Sequence, residues 1–338
     1  MMIVFLIKGE IFMQIGKLEW KDLKNIINNN RGVKREDVRI RSGIGEDCSV
    51  INFGEYECVV STDPITGADK NIGKLAVHIN CNDIASCGVE PLGILVTILA
   101  PPNTKLEEIE NIMNEINYET KKLNIEILGG HTEITDAVNK MIVSCTVMGK
   151  TKQGKSVSTA GAKIGDDIVV TKYLCLEGSS IIVNDYYEKA REVLTDDEIK
   201  EAKNYVNHIS VIKEGKIAGD FGVNSMHDIT EGGLLGALWE VAEGSNVGFK
   251  VYKKQLPITN VTKKLCNFFK IDPLKFISSG SMVITCKNGE KLVRELQENN
   301  IPAIIVGRIT KEGKKLVENN NDNIDVLPVE RDELFKII

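Results

Sequence analysis

The sequence is poor in the features that mark several large protein classes. Its eight cysteines include no C-x-x-C pair and no clustered Cys/His spacing, which argues against common zinc modules and a disulfide framework. They read instead as reduced, small core residues. Positive charge is not in excess: 42 Lys and Arg stand against 48 Asp and Glu, a formal net charge of −6, so nucleic acid is not an expected partner. The apolar stretches, such as 1–7 and 94–100, fall far below the roughly 20 residues that cross a bilayer, and no membrane span is expected. The opening MMIVFLI has no basic segment before it and no small-residue cleavage site after it, so a cytoplasmic rather than a secreted protein is expected.

What remains is an ordinary globular composition, 42% hydrophobic and 27% charged over 338 residues, enough for two domains with a core each. Met13 is a second candidate start, because an amphipathic pattern begins there; residues 1–12 are expected to be a dispensable extension. Strand-like and helix-like segments then alternate as in an α/β arrangement. Leu18 to Ile27 predicts a short helix, and Glu57 to Thr62 a strand that delivers Asp63 at its end. Ile72 to Cys87 predicts a buried helix ended by Gly88, followed by a strand after Pro91. Thr104 and Glu107 have capping-box spacing and open a helix carrying Leu106, Ile109, Met113, Ile116 and Leu123. A strand runs from there into Gly129-Gly130, and Met141 to Met148 is a further strand. The Gly-, Ser- and Thr-rich segment 150–167 reads as an interdomain link, dividing the chain into 13–152 and 153–338. In the second half, helices are predicted within Thr195 to Ala218, Gly233 to Gly244 and Glu290 to Asn299, with strands at 282–285 and 303–307.

The chemistry-bearing residues are acids at element ends: Asp47 in a glycine turn, Asp63 after a strand, Asp83 in a buried helix and Asp228 before a Gly-Gly helix start. A carboxylate buried among the small apolar neighbours of Asp83 needs a cation, or else a backbone amide or a lysine. Two glycine pairs, ILGGHTE (127–133) and TEGGLLG (230–236), fit either phosphate-binding backbone or tight turns. Together with four spread-out aspartates they make a nucleotide with Mg²⁺ a coherent ligand, because magnesium takes a few carboxylates plus phosphate oxygens and waters. His131 and Glu133 could face the same cleft or lie in solvent, as could Lys74. His227 either orients a neighbour through a hydrogen bond or does nothing special, and His78 and Cys87 read as structural.

These motifs resemble the aminoimidazole ribonucleotide (AIR) synthase superfamily, the PurM-like ATP-binding family, from about residue 13 onward. GIGEDCSVI resembles its GDDAAV loop, STDP its strand-end Asp, IGKLAVHINCNDIASCGVEP its N-D helix, LGGHTE its GG(D/E/H)T loop, HDITEGGL its D-x-T-x-G-G-L and AGAKIGD its interdomain segment. The HypE branch, which matures hydrogenases, is the nearest likeness, through SNVGF and LPI…IDPLKFISSGSMVI. The resemblance implies a two-domain fold in which N-terminal sheet-plus-helix domains form a β-barrel across a homodimer and a C-terminal α/β domain closes over it. It implies that Asp47, Asp63, Asp83 and Asp228 hold metal and triphosphate, Asp83 and Asp228 being catalytic, and that Asn80, Gly129, Gly130, His131 and Thr132 contact the nucleotide. ATP and Mg²⁺ are the implied cofactors, a small molecule or carbamoyl-type group the acceptor of the γ-phosphoryl, and a maturation factor a further partner. The sequence ends ELFKII, with no cysteine after Cys286, where HypE carries a reactive cysteine tail, and no reactive Cys of the selenophosphate synthetase kind precedes Cys48. A thiamine-monophosphate-kinase-like enzyme and a non-catalytic ATP-binding maturation factor are the alternative readings.

Overall fold

The computed structural model describes residues 16–66, 70–318 and 322–337; the expected extension 1–12 and the start at Met13 lie outside them. The first half runs α1 (Trp20–Asn29), β1 (Val38–Ile40), β2 (Ser49–Phe53), β3 (Tyr56–Ile65), α2 (Ile72–Ser86), β4 (Pro91–Ala100), α3 (Leu106–Leu123), β5 (Glu126–Ile134) and β6 (Ile142–Lys152). The strands form one sheet in the order β1-β2-β3-β6-β4-β5, antiparallel except for β4 and β5, which α3 joins by a crossover. In β6, buried Val143, Cys145 and Val147 alternate with half-buried Ser144, Thr146 and Met148. That period of two puts one face of the sheet on the helices and, among the described residues, leaves the other uncovered.

The second half runs β7 (Asp167–Thr171), α4 (Leu176–Asp185), α5 (Tyr187–Ala190), α6 (Asp196–Asn204), α7 (Ile212–Phe221), β8 (Ser225–Asp228), α8 (Gly233–Ser245), β9 (Gly248–Tyr252), α9 (Asn260–Phe269), β10 (Met282–Cys286), α10 (Gly289–Glu298), β11 (Ala303–Thr310), β12 (Lys314–Val317) and β13 (Asn323–Asp325). Its seven-stranded sheet has the order β13-β12-β9-β11-β7-β10-β8. β10 is apolar except for Thr285 because it lies between β7 and β8 and is buried on both faces, all five of its residues being covered.

Helix α2 ties the halves together. Twelve of its fifteen residues are buried; Ile84 belongs to the main core with Val59, Ile94 and Val147, and the next residue, Ala85, packs in a second core with Val211, Ala218 and Met226. Asn82, wholly buried, donates to the Ile209 carbonyl and accepts from the Val211 amide, clamping the segment that leads into α7. The segment 150–167 is equally pinned: the Glu46 carboxylate takes hydrogen bonds from Ser158 Oγ and from the Thr159 and Ala160 amides. Two local expectations shift. The cap of α3 falls at Lys105, one residue beyond Thr104, and is half a capping box: the Glu108 carboxylate accepts the Lys105 amide, while the Thr104 amide closes a turn onto Pro101. Gly129 and Gly130 lie inside β5, not in a turn after it.

Candidate functional site

Four elements deliver the four aspartates to one cleft of about 400 Å³ between the halves. Asp47 comes from the loop before β2, Asp63 from β3, Asp83 from α2 and Asp228 from the end of β8. Hydrogen bonds set three of them. Ser86 Oγ donates to Asp47 at 2.7 Å, and Ser61 Oγ donates to Asp83 at 2.6 Å. Asn80 accepts the Asp63 amide at 2.7 Å and donates to the Asp63 carbonyl, so it positions the strand end from within the core. Asp228, 1% exposed, keeps Oδ2 without a hydrogen-bond partner.

His227 takes the orienting role. Its two ring nitrogens meet Asp47 at 2.8 Å and Glu240 at 2.6 Å. Burial opposes charge on the ring, but the two flanking carboxylates outweigh it and hold its pKa well above that of a free imidazole. His227 therefore stands as an imidazolium donating to both acids. Glu240 is correspondingly lowered, its burial outweighed by the bond to His227.

The remaining acids crowd each other. Burial, and next the carboxylate of Asp228, push Asp83 well above the usual carboxylate range; burial and Asp47 do the same to Asp228. Asp63 is raised by burial and by Asp47, partly offset by Lys17. Such a cluster is stabilised by a cation, and its donors are hard oxygens, one of which, Asp228 Oδ2, has no partner among the described residues. Among the described residues, ligand atoms of Asp47, His227 and Asp228 lie within 4.8 Å of one another. Because both His227 nitrogens are engaged, the oxygens of Asp47 and Asp228 are the better donors, and the set fits Mg²⁺ rather than a softer metal.

The other expected residues stand elsewhere. Gly129, Gly130, His131 and Thr132 lie on the edge strand β5, exposed and outside the cleft lining; the His131 ring faces Glu133 at 3.3 Å. Lys74 faces Glu119 and Asn207, and His78 is bonded to Glu119 at 3.0 Å. The second glycine pair is at the cleft: Gly232, at φ +90°, precedes α8, and its amide donates to Asp332 at 2.6 Å. Glu240, Glu231, Asp332 and Lys17 also line the cleft and were not singled out from sequence. For Glu240 a signal existed, an acid in the apolar run GLLGALWEVA, one helical turn after Gly236. For Lys17 there was none.

The chain as a whole is similar to known proteins. The AIR synthase related N-terminal domain matches residues 45–151 and the C-terminal domain matches 163–318. A Methanocaldococcus jannaschii protein named for hydrogenase expression and formation is 30% identical over 315 residues, covering 89% of this chain and 90% of its own. Carbamoyl dehydratase HypE of Bradyrhizobium diazoefficiens is 25% identical, with 71% and 69% covered, and thiamine-monophosphate kinase of Bacillus subtilis 26%, with 84% and 90% covered. Among solved structures, a HypE–HypF complex matches with a TM-score of 0.73 at 20% identity, covering 89% of this chain and 99% of that one. HypE in complex with ATP matches with 0.67 at 19%, covering 95% and 94%. The structural likenesses, at such identities, establish the PurM-like fold. The two matched domains and the archaeal relative together show that the chain belongs to the AIR synthase related family.

Proposed function

We propose that the cleft binds Mg-ATP and that the protein is an ATP-dependent enzyme transferring the γ-phosphoryl group to an oxygen of a small substrate or carbamoyl-type acceptor, a class suggested by the relatives named carbamoyl dehydratase. The observation that carries this is the convergence of Asp47, Asp63, Asp83 and Asp228 with raised pKa values at Asp63, Asp83 and Asp228, an arrangement that a divalent cation would relieve. Bound there, Mg²⁺ would neutralise triphosphate charge and hold its oxygens for in-line transfer. The chain's own residues do the positioning. The His227 imidazolium fixes Asp47 against Glu240, Ser61 and Ser86 aim Asp83 and Asp47, and the start of α8 offers backbone and dipole to an anionic group. Catalysis by orientation and electrostatics needs no nucleophilic side chain.

Calorimetry with ATP, first with Mg²⁺ and then with EDTA, alongside assay of ADP, tests the reading. Mg-dependent binding with ADP release is expected, and Asp83→Asn is expected to abolish both while the protein stays folded. Normal turnover in Asp83→Asn would overturn it. Binding without ADP in any condition would favour a nucleotide-binding maturation factor, a reading supported by the likeness to HypE held in complex with HypF. Phosphorylation of thiamine monophosphate would favour the kinase reading, supported by the Bacillus relative. A homodimer is part of the proposal: the uncovered face of the first sheet and its free edge expose Leu92, Leu95 and Leu128.

A further inference from the structure

The N-terminal arm lies over the mouth of the acidic cleft. Lys17, Leu18, Trp20 and Leu23 line it, and the Lys17 amide donates to Glu231 Oε1 at 3.2 Å. Two cationic side chains of the arm and tail reach the lining, Lys17 and Arg331. Arg331 sits over the Phe335 ring and donates to the Phe335 carbonyl, which leaves Lys17 as the cation of the arm that shares the cleft lining with Asp47, Asp63, Glu231 and Glu240. Lys17 keeps contact with solvent; enclosure of its ammonium by the cleft works against its charge, but Glu240, Glu231, Asp63 and Asp47 hold its pKa above the ordinary value. The arm itself is lightly held. Helix α1 buries no residue and has no side-chain N-cap; its Trp20 ring rests on Trp239 of α8 with centroids 5.2 Å apart.

We propose that Lys17 is the resident counter-cation of the carboxylate cluster and that the arm carrying it is a lid: a divalent cation takes over the same carboxylates, Lys17 is driven off, and the arm shifts. The inference rests on the reading of the cleft as a cation site. A lysine and a metal ion cannot both be close to Asp47 and Asp63, because like charges repel where the dielectric is low. The metal thus favours the displaced arm by its own differential affinity for the two states.

Trp20 and Trp239 are the two tryptophans of the chain, so intrinsic fluorescence reports on this contact. Full-length protein would be titrated with MgCl₂ and with MnCl₂ alone, without nucleotide, and followed by tryptophan fluorescence and calorimetry, in the wild type and in Lys17→Met and Lys17→Arg. The expected result is a metal-dependent fluorescence change in the wild type. Metal should bind about five-fold tighter to Lys17→Met, with the competitor gone, and near wild-type strength in Lys17→Arg. Metal binding of equal or weaker affinity in Lys17→Met, or without a fluorescence change in the wild type, would overturn the lid and leave the metal site standing. No metal binding to any of the three proteins would overturn the lid and the cation reading of the cleft together.

Discussion

Asp83 shows what a single residue contributes and what it costs. Its carboxyl is 4% exposed, crowded by Asp228, Asp63 and Asp47, and pushed up in pKa mainly by burial. Asn can still accept from Ser61 while removing the charge conflict, so Asp83→Asn is expected to melt at or above the wild-type temperature without ligand. The stabilisation that Mg-ATP adds to the wild type should be absent from it, as thermal melts with and without ligand would show. Glu177 makes a different prediction. It is 4% exposed, its Oε2 has no hydrogen-bond partner, and burial, eased by Ser279 and reinforced by Asp332, lifts its pKa from 4.5 to about 7. The unfolded chain loses this proton first, so the contribution is fully present below pH 4.5 and lost as pH rises to about 7. Glu177→Gln should flatten that part of the stability–pH curve and exceed the wild type above pH 7, by up to about 3 kcal/mol. The four aspartates were legible because each is an acid interrupting a small or apolar segment. Lys17 was not, because a lysine near a chain terminus is ordinary until the fold lays it on a cluster of acids.

Among the elements, α2 carries the most consequence. It supplies Asp83 and Asn80 to the site on one side and Asn82 to the second half on another, so three polar residues within about one turn serve two directions. Close approach at this junction depends on Gly215 of α7, where a Cβ would come within 2.1 Å of the Ala85 carbonyl oxygen. Gly215→Ala is therefore expected to destabilise by about 1–3 kcal/mol or more and to loosen nucleotide binding, measured by denaturant unfolding and calorimetry. Periodicity found α2, α3, α8 and α10, because their apolar residues recur at helical spacing. It placed Gly129-Gly130 after the strand, as phosphate-binding backbone or a tight turn, and they lie within β5 instead. Glycine is the usual mark of a turn, whereas at Gly130, φ +153°, it serves the parallel pairing with β4, where a Cβ would strike the Val96 carbonyl.

At the scale of the whole molecule, the two sheets meet across α2 and the cleft, and one sheet face is left open. If that face joins a second copy, Leu95→Lys should convert a dimer into monomer at equal concentration, measured by light scattering after gel filtration, without lowering the helix content seen by circular dichroism. Local order, the acids and the motif order that marks the family could all be read from the sequence, because they depend on residue type and spacing along one chain. Tertiary structure alone decided that His227 is held between Asp47 and Glu240, that the β5 glycines stand apart from the acids, and that Lys17 lines the same cleft as those acids do. Those facts join residues up to some two hundred positions apart, and electrostatic coupling depends on distance through space and on burial, neither of which is written in the order of residues.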